Sequence, residues 1–298
     1  MSATPLPAAT YFTGASVTQY QEKAALTQLI NYMQDHLGDT IVPSTGLSGF
    51  RNVIINGNFS INQRVYASGS AVGAGLYGHD RWKMAASGDT YTFSTTANVT
   101  TVTIPAGKVL RQVIEGVNLR SGTYVLSWTG TAQGKIGAGI YGPSGVSGSV
   151  TGVSDLTIEF GPGTVSQVQL ELGTVPTPFE QRPISIELDL CRYYYRNAGT
   201  NHAGYVEGTT NYSISIYFDS PMRAMPTIST RSGYYFNTRY AGTDVNILNP
   251  SIGNAMATRV GVWLQVLSSG LTDGRTVFGR HQGGADMTGD FLACSAEL

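Results

Sequence analysis

Three groups of residues have the types and spacing to do chemistry. The run YGHDRW brings together Tyr77, His79, Asp80, Arg81 and Trp82. A sugar ring could stack its C–H face on Trp82 while Asp80 and Arg81 take pairs of its hydroxyls. The weightier alternative is structural, with Trp82 filling a core and Asp80 and Arg81 supporting a turn. The second group is Tyr234, Tyr235, Phe236, Arg239 and Tyr240. Adjacent Tyr234 and Tyr235 on a strand must point to opposite faces, so one can be core and the other exposed. Tyrosine is rigid and amphipathic, which suits a contact surface. Arg231 and Arg239 could meet anionic sugars or phosphate. A cross-strand aromatic ladder is the competing reading. Even so, this cluster is the preferred ligand contact, with Asn237, Asp244, Trp263 and the loop 281–288 behind it.

The third group is the carboxylates Glu171, Glu180 and Glu187. Glycoside hydrolysis needs a carboxylate pair. Carboxylates are sparse elsewhere, and these three fall in a strand edge, a turn and a helix. A hydrolytic triad is not supported, because the four His are scattered and no Gly-x-Ser-x-Gly elbow follows a strand and precedes a helix. There is no phosphate-binding loop and no dinucleotide fingerprint, so no cofactor is expected. Cys191 and Cys294 are read as free, buried, small apolar residues, and no His lies at zinc-ligand spacing beside either. No catalytic residue and no metal site is expected.

The elements that must position these groups are mostly strands. Charged residues are 12 %, about half the usual share, while Gly is 37 of 298 and Tyr 17. That profile fits a β-rich particle-borne or extracellular protein with many tight turns. A net charge of −1 offers no basic footprint for nucleic acid. No run of 18 apolar residues could cross a membrane as a helix, and MSATPLPAATYF lacks the basic and apolar regions of a secretory signal.

Residues 1–14 read as an extended arm. Residues 16–37 read as a helix, with Ser16 and Gln19 as a capping box and Gly38 at its end. Tyr20, Leu26, Ile30, Met33 and Leu37 lie along its apolar side, so the helix needs a partner. Residues 38–50 read as a linker. From 51 the period changes to two. Short strands are expected near 52–55, 59–65, 79–86, 90–95, 98–104, 108–115, 122–130, 134–141, 154–160 and 165–172, a spacing that argues for a β-sandwich. Tyr124, Leu126 and Trp128 share one face there. Residues 184–196 read as helical, with Ile184, Leu188 and Cys191 in step and Pro183 in the first turn. Strands are then expected at 211–219, 226–231, 233–240, 244–248, 258–266, 274–280 and 290–297.

Three segments carry a resemblance. Residues 169–196 (QLELGTVPTPFEQRPISIELDLCRYYYR) run from a final sandwich strand through a Pro-rich turn into a short helix. Residues 51–64 (RNVIINGNFSINQR) precede the His-Asp-Arg-Trp step, and FDSPMRAMPTIS at 218–229 precedes an ending CSAEL. In this order they resemble bacteriophage tail-fibre and receptor-binding proteins. The resemblance implies a virion appendage protein that holds a ligand without turning it over. It also implies a homotrimer, a jelly-roll-like sandwich similar to carbohydrate-binding modules, and assembly in the host cytoplasm.

The expected architecture is mainly β. An arm, helix and linker at 1–50 would attach to another virion protein through 1–37. A jelly-roll-like sandwich at 51–182 and a connector helix at 183–198 would follow, and then a C-terminal β-domain at 199–298 as the receptor-facing tip. The expected function is adhesion to host surface polysaccharide. The alternative is a purely structural baseplate, collar or head-fibre component.

Overall fold

A computed structural model describes residues 50–73, 76–199, 202–231, 235–240, 243–248, 252–267, 273–274, 276–281, 290 and 292–298. The helix expected at 16–37, with Tyr20, Leu26, Ile30, Met33 and Leu37, lies outside them. Within them the chain is mainly β, with four antiparallel sheets and one α-helix.

The first nine strands are β1 (Lys83–Met84), β2 (Thr92–Thr96), β3 (Val99–Ile104), β4 (Leu110–Ile114), β5 (Gly122–Thr129), β6 (Gly134–Ile136), β7 (Val146–Val150), β8 (Leu156–Phe160) and β9 (Gly163–Leu172). They form two sheets, ordered β1-β4-β8-β6 and β2-β3-β9-β5-β7. Both turn alternate residues into one core, because strand side chains alternate between faces. Leu110, Ile114, Ile158 and Phe160 come from the first sheet; Val102, Leu126, Trp128, Val165 and Leu170 come from the second. Tyr124, Leu126 and Trp128 are all buried, as their alternation predicts. The β7 strand was not foreseen, since its Gly and Ser residues carry little strand signal.

The stretches 52–55 and 59–65 are not strands, although both were expected to be. Side chains replace a ladder there. Asn52 accepts from Ile54 N at 3.0 Å and Leu170 N at 3.0 Å, and donates to Val168 O at 2.9 Å. Asn56, at φ 58°, accepts from Ile61 N at 2.9 Å and donates to Ile61 O at 2.8 Å and to Asp80 O at 2.9 Å. Gln112 exchanges both bonds with Ile55 at 3.1 and 2.8 Å, as a strand neighbour would. A Cβ on Gly57 would lie 2.2 Å from Val168 O, so only glycine fits that crossing.

The helix, α1, spans Ile184–Arg192 and is shorter than expected. Its buried side is Glu187 and Cys191, whereas Ile184 is 60 % exposed. The chain then turns into β10 (Tyr195–Ala198), which was expected to be helix. The remaining strands are β11 (His202–Val206), β12 (Asn211–Tyr217), β13 (Thr227–Thr230), β14 (Tyr235–Tyr240), β15 (Thr243–Leu248), β16 (Ile252–Thr258), β17 (Gly261–Leu267), β18 (Thr276–His281) and β19 (Leu292–Ser295). They give a sheet β10-β19-β13 and a sheet β15-β14-β18-β11-β12-β17-β16. A second core joins the two, with Tyr212, Ile214, Leu264, Leu292 and Cys294. Cys191 and Cys294 are buried free thiols, as read from the sequence.

Candidate functional site: a buried polar junction

The segments singled out in the sequence meet where the sandwich, α1 and the 292–298 segment come together. Arg182, from the Pro-rich turn, is almost wholly buried. It pairs with Glu180 at 3.2 Å and with both oxygens of Glu187 at 3.2 Å. It also donates to the main-chain oxygens of Asn52 and Ile54. Glu187 in turn accepts from Asn56 N. One guanidinium thus ties the turn, the helix and the 51–64 segment, and its buried charge is offset by two carboxylates.

The HDRW step is set into the same junction. Trp82 is 0 % exposed, packs at 4.7 Å from the Phe59 ring, and donates Nε1–H to Asn56 O at 2.9 Å. Asp80 is also 0 % exposed; it accepts from Gln63 N at 2.6 Å and Gln63 Nε2 at 2.9 Å, and lies 3.4 Å from Arg64. Burial pushes its carboxyl above the usual range, with Arg64 and Gln63 acting in the opposite direction. The expectation that Trp82 and Asp80 contact a glycan is therefore corrected. Neither presents surface to a ligand, because the ring fills the core and the carboxylate ties main chain.

Arg81 has a left-handed backbone, φ 71°, an uncommon state for a long side chain. It forms an ion pair with Glu297, donates to Val113 O at 2.6 Å, and stacks 3.6 Å over Tyr194. Arg64 stacks 3.6 Å over Tyr195 and reaches Glu297 at 3.0 Å. Burial opposes the charge on Arg81; Glu297, Tyr194 and Tyr77 more than offset it, so its pKa lies above the ordinary value. Tyr77 and Lys83 donate to Leu298 O at 2.5 and 2.7 Å. Arg223 donates to Ala296 O at 2.7 Å and Glu297 O at 3.1 Å, which brings in the 218–229 segment. Burial of the Tyr77 hydroxyl raises its pKa to about 12.

His79 sits in an aromatic cage of Phe59, Tyr66, Tyr91 and Phe93. Its main-chain N donates to the Tyr91 hydroxyl at 2.7 Å, and its Nδ1 lies 2.8 Å from the same oxygen. Donation of the tyrosine proton to Nδ1 goes with the tautomer that carries the imidazole proton on Nε2. Burial lowers the His79 pKa to about 4. Gly78 must be glycine, since a Cβ there would lie 2.2 Å from Tyr91 Oη.

The three carboxylates weighed for hydrolysis all serve the scaffold. Glu171 accepts from Gln169 at 2.8 Å and from Thr177 N and Oγ1 at 2.7 Å each, holding the Pro-rich turn on β9. Glu180 accepts from the main-chain N of Arg51 and Asn52 at 2.6 and 3.1 Å. Of the aromatic cluster, Tyr235, Arg239 and Tyr240 lie on β14, opposite Leu248, Asp244 and Thr243 of β15. Tyr234 is outside the described residues. Among the described residues no group of three or more His, Cys, Asp or Glu is placed to hold a metal ion, and no helix is long and apolar enough to cross a membrane.

No family model and no curated protein matches the chain. The junction geometry and the resemblance of its segments are thus the grounds for a functional reading.

Proposed function

We propose that this chain is a bacteriophage virion appendage protein, a tail fibre or receptor-binding component that adheres to host surface polysaccharide. In this reading residues 1–50 attach it to the particle, three copies assemble, and the β-domains present the binding surface. Presentation of several weak sugar sites on one particle raises avidity by orders of magnitude. The chain needs no cofactor for this and turns nothing over.

The observation that carries the reading is the junction. The segments that resemble the fibre family are far apart in sequence, yet Arg182, Asn56, Arg81, Arg223 and Glu297 interlock them. That convergence supports a likeness of whole architecture over a likeness of short patterns. The engagement of Glu171, Glu180 and Glu187 in main-chain bonds supports binding over hydrolysis.

We read the sandwich as a jelly roll, the architecture of many capsid and lectin domains. The order β3-β9-β5-β7 in one sheet and β4-β8-β6 in the other supports it. An isolated antiparallel bridge from Gly134 to Gly142 extends the latter sheet beyond β6. Immunogold labelling of intact particles with antibody to the chain tests the assignment. Gold on a fibre or spike is the expected result; particles without label would refute it.

A further inference from the structure

The outer face of the four-stranded sheet carries a row of charged side chains of which the junction uses Lys83, through Leu298 O. The register β1-β4-β8-β6 sets Lys83, Arg111, Glu159 and Lys135 side by side in one row across the strands. With strands about 4.8 Å apart, the row spans roughly 15 Å. It holds three cations and one anion. Glu159 stands across from both Arg111 and Lys135, but its carboxylate goes to Lys135 at 3.0 Å and to the Tyr141 hydroxyl at 3.0 Å. Among the described residues the Arg111 side chain makes a single hydrogen bond, Nη2 to Ala85 O at 3.2 Å. Among the described residues no carboxylate lies within ion-pair distance of it.

Two residues further along the same strands, the face sinks into a hollow of about 340 Å³. Lys108, Val109, Gln133, Tyr141, Gly161 and Pro162 line it. A Cβ at Gly161 would meet only Gln133 O and Tyr141 Cε1, each at 3.9 Å, which is ordinary contact distance. Tyr141 is 37 % exposed, and its ring is fixed by Glu159 and by Lys135 at 5.1 Å from its centroid. Gln133 is exposed. A half-exposed, held aromatic ring, an exposed amide and an under-compensated guanidinium are the parts that recognise a sugar carrying a negative charge. The ring takes the C–H face, the amide takes hydroxyls, and the guanidinium takes a carboxylate or phosphate in its fork.

We propose that this face, centred on Tyr141 and Arg111 with Gln133, Lys135 and Glu159, is a binding site for an acidic saccharide. It rests on the adhesion reading above and names its ligand class. The excess of cations favours a uronate- or ulosonate-type unit over a neutral hexose. Binding would weaken with salt, as charge-dependent contacts do.

The test uses saturation-transfer NMR on the full chain with glucuronate, galacturonate and N-acetylneuraminate, and with glucose and galactose as neutral controls. Transfer to at least one acidic sugar and not to the neutral pair is expected. Arg111→Gln and Tyr141→Ala should each weaken it about tenfold, with melting temperatures close to that of the parent protein to show that they fold. No transfer to any acidic sugar, equal transfer to glucose, or undiminished transfer in both variants would overturn the site. Cell binding separates this from the wider reading. If the parent protein binds host cells and both variants bind equally well, the site is wrong while adhesion stands. If the parent protein does not bind, adhesion itself fails.

Discussion

Arg81 and Glu297 form an ion pair across 216 residues of sequence, with both side chains almost wholly buried. Arg81 reaches it from a left-handed backbone, and Arg64 and Arg223 hold the same glutamate and its main chain. The pair therefore fastens the 292–298 segment, and with it β19, to the sandwich. Removal of one partner leaves a buried charge uncompensated, which typically costs about 3–5 kcal/mol. Glu297→Ala should lower stability by that order in urea unfolding followed by tryptophan fluorescence. The double variant Arg81→Met/Glu297→Leu should recover part of the loss, because the buried Arg81 charge goes with its partner while Arg64 keeps Asp80. A Glu297→Ala protein as stable as the parent would contradict the fastening.

Trp82 is a core residue, so its substitution should register as instability and not as lost adhesion. Trp82→Ala should cost about 3–5 kcal/mol through the cavity it leaves. Trp82→Phe should cost less and bind cells as the parent does. A stable Trp82→Phe protein that no longer binds would return Trp82 to the ligand surface.

His79 gives a pH dependence with a definite sign. Its folded pKa of about 4 lies below the ordinary 6.5, so between these values the unfolded chain takes up a proton that the native state refuses. Its contribution to stability is therefore full above pH 6.5 and falls as the pH drops towards 4, by up to about 1.4 kcal/mol per pH unit. The His79 ring resonances should show no titration between pH 7 and 5. His79→Phe should flatten the corresponding part of the stability profile. A native-state midpoint near 6.5 would contradict the caged neutral ring.

Burial raises the thiol pKa of Cys294 to about 12 and that of Cys191 well above the ordinary value. Thiolate is the reactive form, so both should resist a disulfide reagent in native protein at pH 8 and react together on unfolding. Rapid labelling of the native chain would show that α1 or β19 opens locally.

What could be read from the sequence divides along physical lines. The alternation of Tyr124, Leu126 and Trp128 was legible because a sheet with one face on a core imposes period two. The stretches 52–55 and 59–65 read as strands from their apolar residues, whereas main-chain groups there and beside them bond to Asn52, Asn56 and Gln112 side chains. The shortened helix followed from Tyr194 and Tyr195, whose rings leave the helical stripe to stack under Arg81 and Arg64. The Tyr141–Arg111 face was not legible. Its row draws one residue from each of four strands that only the sheet order makes neighbours. No local spacing among Lys83, Arg111, Lys135 and Glu159 announces it.

The most direct test of the adhesion account is binding of the purified, assembled protein to fixed cells of the host, with and without periodate oxidation of surface glycans. Adhesion predicts binding that periodate abolishes. No binding by a verified oligomer to a host that the particle infects would contradict it and favour a purely structural virion component.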